Sequence, residues 1–79
     1  MSEQVTLQLS RDEALVLFEW LARVNSEQTM RFEDQSEQRV LWNLEGSLES
    51  ILVEPLDPNY EAIVAAARAR LRDVDEHGV

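Results

Sequence analysis

The clearest helix signal in the chain is SRDEALVLFEWLARV, residues 10–24. Ser10 and Glu13 have the spacing of a capping box, in which each side chain accepts a hydrogen bond from the other residue's backbone N–H. Apolar residues then recur at spacings of three and four, which places one stripe on the side of a helix that faces a core. The stretch predicts a helix over residues 11–25, and its stripe consists of Ala14, Leu17, Phe18, Leu21 and Val24.

This first helix carries more apolar side chains than one stripe needs. Leu15, Val16 and Trp20 lie off the stripe and make the helix apolar almost all the way round. Small domains rarely leave a contiguous apolar patch in water, so either other elements of the chain or a second subunit must cover this surface. We therefore take Leu15, Val16 and Trp20 as interface candidates.

Two segments alternate polar and apolar residues, which is the pattern of a strand with one buried face. VTLQL, residues 5–9, predicts a short first strand. Residues 26–34 form a loop in which residues 29–33 alternate again and allow a second short strand. If the second strand forms, the two can pair within the chain; if it does not, the first strand would most simply pair with its own copy across a two-fold axis. The sequence leaves this choice open.

A second helix is predicted over residues 35–53, because Asp34 and Glu37 repeat the capping-box spacing with Asp in the place of Ser. Gly46 interrupts the helix at a cost of about 1 kcal/mol relative to alanine, which favours a close backbone approach at this position. Trp42 either lies over Gly46 or closes the edge of a neighbouring helix, so both residues join the interface candidates. The predicted seam consists of Leu41, Leu44, Leu48 and Ile51, widened by Val40 and Leu52.

Two prolines place a turn at residues 54–57. A third helix is predicted over residues 58–74, with Asp57 as its N-cap and Pro58 at its first position, and residues 75–79 are predicted to be a frayed tail. The predicted fold is mainly α, with a short N-terminal strand followed by three helices, in a single small domain over residues 1–79. The buried stripe of the third helix consists of Tyr60, Ile63, Val64, Ala67, Leu71 and Val74.

The composition of the chain excludes or disfavours several classes of function. The 79 residues include no cysteine, which excludes disulfides and thiolate metal sites, and a single histidine, His77. A formal net charge of −9 disfavours binding to nucleic acid or to anionic lipid. We find no signal-peptide pattern and no long apolar run, so we expect a cytoplasmic protein without a membrane span. A core this small favours self-association, most simply as a dimer.

The acidic residues are the most visible chemical feature of the sequence. Glu45 and Glu49 are neighbours on one helical face, but hard cations need several oxygen ligands at a spacing that the chain does not show. No pattern indicates a nucleophile or a phosphate-binding loop. We therefore expect no catalytic residue, no metal ligand and no cofactor.

The sequence favours a small non-enzymatic protein-interaction module that is homodimeric. A first alternative is an acidic inhibitor or immunity-type protein that binds a basic protein partner, since a charge of −9 on a small surface would steer that association. A second alternative, which we rank lowest, is a carboxylate metal-binding or enzymatic protein.

Three blocks resemble a group of short bacterial proteins of unknown function. They are LSRDEALVLFEWL at residues 9–21, EQRVLWNLE at residues 37–45 and DPNY at residues 57–60. The resemblance covers most of the chain and implies a bacterial source and a free-standing small cytosolic protein. It implies no activity, ligand or functional residue.

Overall fold

Three α-helices joined by short connections form the described part of the chain. The computed structural model describes residues 3–27 and 30–76, the last three by their backbone alone. Helix α1 spans Arg11–Glu27, α2 spans Gln35–Ile51 and α3 spans Tyr60–Glu76, with a short 3-10 helix at Glu54–Leu56 before α3. The prediction of a mainly helical, single small domain with three helices is confirmed.

Helix α1 begins with the predicted capping box. The Ser10 N–H donates to the Glu13 carboxylate at 2.8 Å, and the Glu13 N–H donates to the Ser10 hydroxyl at 3.0 Å. The Ala14 N–H closes the first helical turn onto the Ser10 carbonyl at 2.9 Å. Because the first N–H groups of a helix have no partner inside the helix, these contacts fix where α1 starts.

Helix α2 begins with a variant of the predicted cap. The Asp34 carboxylate accepts from the Ser36 N–H at 2.8 Å. The Glu37 carboxylate accepts from the Glu33 N–H, also at 2.8 Å, and therefore reaches one residue further back than a capping box requires. At its other end α2 stops at Ile51, because the backbone of Leu52 is extended, and the side chain of Leu52 enters the core.

Helix α3 begins two residues later than predicted. The Asp57 carboxylate accepts from the Asn59 N–H at 2.7 Å, and Pro58 and Asn59 form a turn before Tyr60. The helix continues through Glu76, so residues 75 and 76 belong to it rather than to a frayed tail. Residues 77–79 lie outside the described residues.

Helix α1 is the central element. It packs against both α2 and α3, and contact between α2 and α3 is at most marginal. Among the side chains that the structure describes, five are buried in α1, two in α3 and one in α2. The buried residues are Ala14, Leu15, Phe18, Leu21, Val24, Leu48, Leu52, Val64 and Ala67.

The central position of α1 explains why its sequence is apolar on nearly every side. Leu15, an interface candidate off the predicted stripe, is covered by the chain itself: its side chain is only 2% exposed and belongs to the same cluster as Ala67 of α3. Val16 is half-buried and packs against this cluster, as does Leu17 of the predicted stripe. Of the two alternatives that the sequence left open for this surface, coverage by other elements of the same chain therefore applies to most of it.

The predicted strands are not supported. Residues 5–9 lie outside helix and strand, and none of the described residues forms a strand. The predicted second strand at residues 29–33 falls partly outside the described residues, and its described part, residues 30–33, is irregular. A strand needs a neighbour to satisfy its backbone groups, and residues 5–9 meet none within the described part of this chain.

Candidate interaction surface

Trp20 lines an open apolar depression at the junction of α1, the α1–α2 connection and α2. We call Trp20, Met30, Phe32 and Val40 the tryptophan patch. The depression has a volume of about 440 Å³, and Leu41 and Glu37 also line it. Trp20 is 36% exposed and Val40 is 61% exposed. Of the three candidates on α1, Trp20 is the one with a side chain that a partner could still cover.

Trp42 and Gly46 lie apart from this patch. Trp42 is two residues after Val40, which places it about 200° around α2, and it is 47% exposed. Gly46 is exposed, and a Cβ atom added to it would have no neighbour within 4 Å. The predicted close approach at Gly46 is therefore wrong for the described residues, and the Trp42 indole does not lie over it.

A second apolar depression lies between the N-terminal segment and α2. We call Val5, Leu7, Leu9, Leu44 and Ile51 the amino-terminal groove, which has a volume of about 430 Å³ and a floor that includes the buried Leu48. Val5 is 88% exposed, Leu7 80% and Ile51 66%. The period-two pattern of residues 5–9 marked this segment as apolar on one face, but the interface candidates chosen from the sequence did not include it.

The two depressions are linked by one side of α2, which we call the apolar flank: Val40, Leu44 and Ile51. These residues are four and seven positions apart, a spacing that aligns side chains along one side of a helix. All three are exposed, although Leu44 and Ile51 belong to the predicted seam of α2. Leu48 is the one described residue of this helix that is buried, so one edge of the predicted seam faces α1 and the other edge faces solvent.

Two bidentate ion pairs hold the start of α1 next to the amino-terminal groove. Arg11 donates to both oxygens of Glu54 at 2.7 and 2.8 Å, and Arg70 donates to both oxygens of Asp12 at the same distances. Hydrogen bonds from Arg70 lower the pKa of the Asp12 carboxyl, and those from Arg11 lower the pKa of the Glu54 carboxyl. The pairs tie α1 to the 3-10 helix and to α3.

A third depression, of about 390 Å³, lies between α1 and α3 and is polar. Glu19, Arg23, Tyr60 and Arg68 line it. The Tyr60 hydroxyl is buried and has no hydrogen-bond partner among the described residues. Burial and, to a smaller extent, the nearby Glu19 carboxylate raise its pKa well above the ordinary value of 10.0. The hydroxyl stays protonated near neutral pH, so it cannot serve there as a base.

No three histidine, aspartate or glutamate side chains of residues 3–27 and 30–73 come together as a set that could hold a metal ion. None of the helices in the described part of the chain combines the length and the apolar character that crossing a bilayer requires.

No family model, curated protein or solved structure matches the chain. The resemblance to short bacterial proteins stays a prediction. The two apolar depressions and the flank between them are therefore the structural features from which a function can be inferred.

Proposed function

We propose that this protein is a small non-enzymatic protein-interaction module that acts as a homodimer. The observation that carries the proposal is the apolar flank of α2, which runs from the tryptophan patch to the amino-terminal groove and remains exposed to solvent among the described residues. Contiguous apolar surface of this kind on a small domain is typical of a protein interface.

The energetics favour covering this surface. Fully burying an aliphatic side chain contributes about 1.5–3 kcal/mol relative to leaving it in water. Val40 and Ile51 are each more than 60% exposed, and a symmetric dimer buries each of these residues in both copies. A 79-residue domain has a narrow stability margin, so this contribution is large relative to the total.

Charge also favours the flank as the place where two copies meet. Each copy carries −9, so two copies repel each other over most of their surfaces. The flank itself is uncharged: Ser47, the residue between Leu44 and Ile51 on this side, is polar but neutral. Glu45 and Glu49 lie further round the helix. Two acidic chains therefore approach with least repulsion along this side of α2.

The test is the molar mass of the chain by sedimentation equilibrium from low to high micromolar concentration. We expect the mass to rise towards that of a dimer. A Val40→Glu variant should stay monomeric, because glutamate is tolerated on an exposed helix surface but places a charge in the apolar interface of the dimer.

Gln35→Glu is the matched control. It adds the same charge at an exposed position about 140° from Val40 on the same helix, and the two side chains of this substitution have nearly the same shape. We expect Gln35→Glu to keep the wild-type association. A wild-type protein that remains a monomer at high micromolar concentration would overturn the homodimer.

A further inference from the structure

The backbone of residues 5–9 can still form hydrogen bonds with a neighbouring strand. Its backbone N–H groups make no hydrogen bond with the described part of the chain. Val5 and Leu7 are among the most exposed large apolar residues, while Thr6 and Gln8 between them are polar. A segment of this kind pairs readily with another strand, because pairing satisfies the backbone and collects the apolar side chains on one face.

The polarity of this segment is symmetric about Leu7, which favours a second copy of the same segment as the partner. In an antiparallel pair centred on Leu7, each Val5 lies opposite a Leu9 and the two Leu7 residues face each other. Thr6 then lies opposite Gln8 on the other face. If the pair were centred on Thr6 or on Gln8 instead, the apolar residues would still share one face. Centring on Thr6 would place Leu9 opposite the charged Glu3, and centring on Gln8 would place Val5 beside the charged Arg11.

The ends of the segment add charge complementarity to this register. Because α1 begins at Arg11, the strand pairing ends before this residue, and the same antiparallel register brings Glu3 of one copy close to the start of α1, and thus to Arg11, of the other. Arg11 is half exposed, and it uses only part of its five N–H donors on Glu54. No charged residue lies between Glu3 and Arg11, so the pairing places no like charges opposite each other.

We infer that residues 5–9 of two copies pair as antiparallel strands about Leu7 across the dimer axis, and that the apolar face of this pair covers Leu44 and Ile51 of both copies. This inference rests on the proposed homodimer and identifies the element that forms it. It also explains why a segment with the pattern of a strand is not a strand in the single chain: its neighbour is the same segment of the second copy.

The size of the surface fits a dimer of this kind. The five side chains of the groove together expose on the order of 400 Å², about half of the roughly 800 Å² that each partner of a stable complex buries. The backbone and the polar side chains of the paired segments add to this area. The interface therefore needs the segments themselves as well as the apolar flank.

Disulfide cross-linking tests the register, and the absence of native cysteine makes single substitutions informative. Opposite residues in an antiparallel pair have Cα atoms about 4.5–5.5 Å apart, within the range that a disulfide bridges. We expect Leu7→Cys to form a covalent dimer on mild oxidation. Val5→Cys and Leu9→Cys should each cross-link poorly alone, whereas an equimolar mixture of these two variants should cross-link well.

Each outcome of this experiment decides between the two proposals. Equal cross-linking of all three single variants would indicate parallel pairing or random collision and would overturn the inference. A wild-type dimer in sedimentation without cross-linking of Leu7→Cys would overturn the pairing and leave the homodimer standing. A wild-type monomer would overturn both.

Discussion

Leu15 and Trp20 show how position in the packing, rather than residue type, decides the role of an apolar side chain. They are five residues apart on α1, and both lie off the stripe that the spacing predicts. Leu15 is enclosed and clusters with Ala67 of α3, whereas Trp20 lies at an open depression beside Val40. Only the second side chain is available to a partner.

Gly46 allows a prediction at the residue scale. It lies inside α2, exposed, with open space where a Cβ atom would stand. Gly46→Ala should raise the free energy of unfolding by about 0.5–1 kcal/mol, because alanine loses less backbone entropy in a helix. Urea unfolding at a fixed protein concentration measures the change. If the variant instead lost stability or dimer mass, Gly46 would have to lie against another chain.

At the scale of elements, α1 is held at its start by two ion pairs and along its length by the core. Asp12 and Glu54 each accept two hydrogen bonds from an arginine guanidinium, and their lowered pKa values mean that the folded chain favours their ionised forms. Both pairs lie at the surface, with the arginines more than half exposed and the carboxylates partly exposed, so we expect a modest effect that salt reduces. The pairs thus position α1 more than they stabilise it.

This arrangement predicts how stability depends on pH. A carboxyl with a lowered pKa in the folded state contributes fully above its ordinary pKa, 3.8 for Asp12 and 4.5 for Glu54, and loses that contribution as the pH falls through the lowered value. Asp12→Asn should be less stable than the wild type at pH 7, and the difference should shrink as the pH falls below 3.8. Urea unfolding across this pH range measures both.

Glu49→Gln is the control for that experiment. It removes one negative charge from an exposed position that makes no side-chain hydrogen bond with the described residues. It should leave the stability near neutral pH unchanged or slightly higher, since the chain carries excess negative charge. A difference between Asp12→Asn and the wild type that stays constant down to pH 3 would show that the Arg70 pair has no influence on folding.

At the scale of the whole molecule, excess negative charge and exposed apolar surface act in opposite directions on self-association. Repulsion between two copies of charge −9 weakens the dimer, and burial of the flank and the grooves strengthens it. Salt changes the first contribution far more than the second. Between about 0.01 M and 1 M ionic strength the screening length falls from about 30 Å to about 3 Å.

Self-association should therefore become several-fold tighter as salt is raised, as measured by the dissociation constant from sedimentation equilibrium. The alternative function, inhibition of a basic protein partner, predicts the opposite sign for its own complex, because that attraction is screened by salt. A dimer that weakens several-fold with salt would show that charged contacts, rather than the apolar flank, hold the two copies together.

Much of this fold could be predicted from the sequence, because local interactions determine where the helices begin and end. Ser10 and Glu13 cap α1, Asp34 begins α2, and the prolines separate α2 from α3, because each of these signals acts within a few residues of the chain. The period-two pattern at residues 5–9 also indicated a segment with one apolar face. These features needed no knowledge of which elements are neighbours in space.

The tertiary structure alone decided which helix lies in the middle and which apolar side chains remain uncovered. Leu15 is buried and Ile51 is exposed because α1 lies between α2 and α3. The spacing of apolar residues along one helix does not show which helices will be its neighbours. Residues 5–9 are not a strand for the same kind of reason. Backbone pairing requires a partner that the described part of the chain does not place beside them, whatever pattern the segment carries.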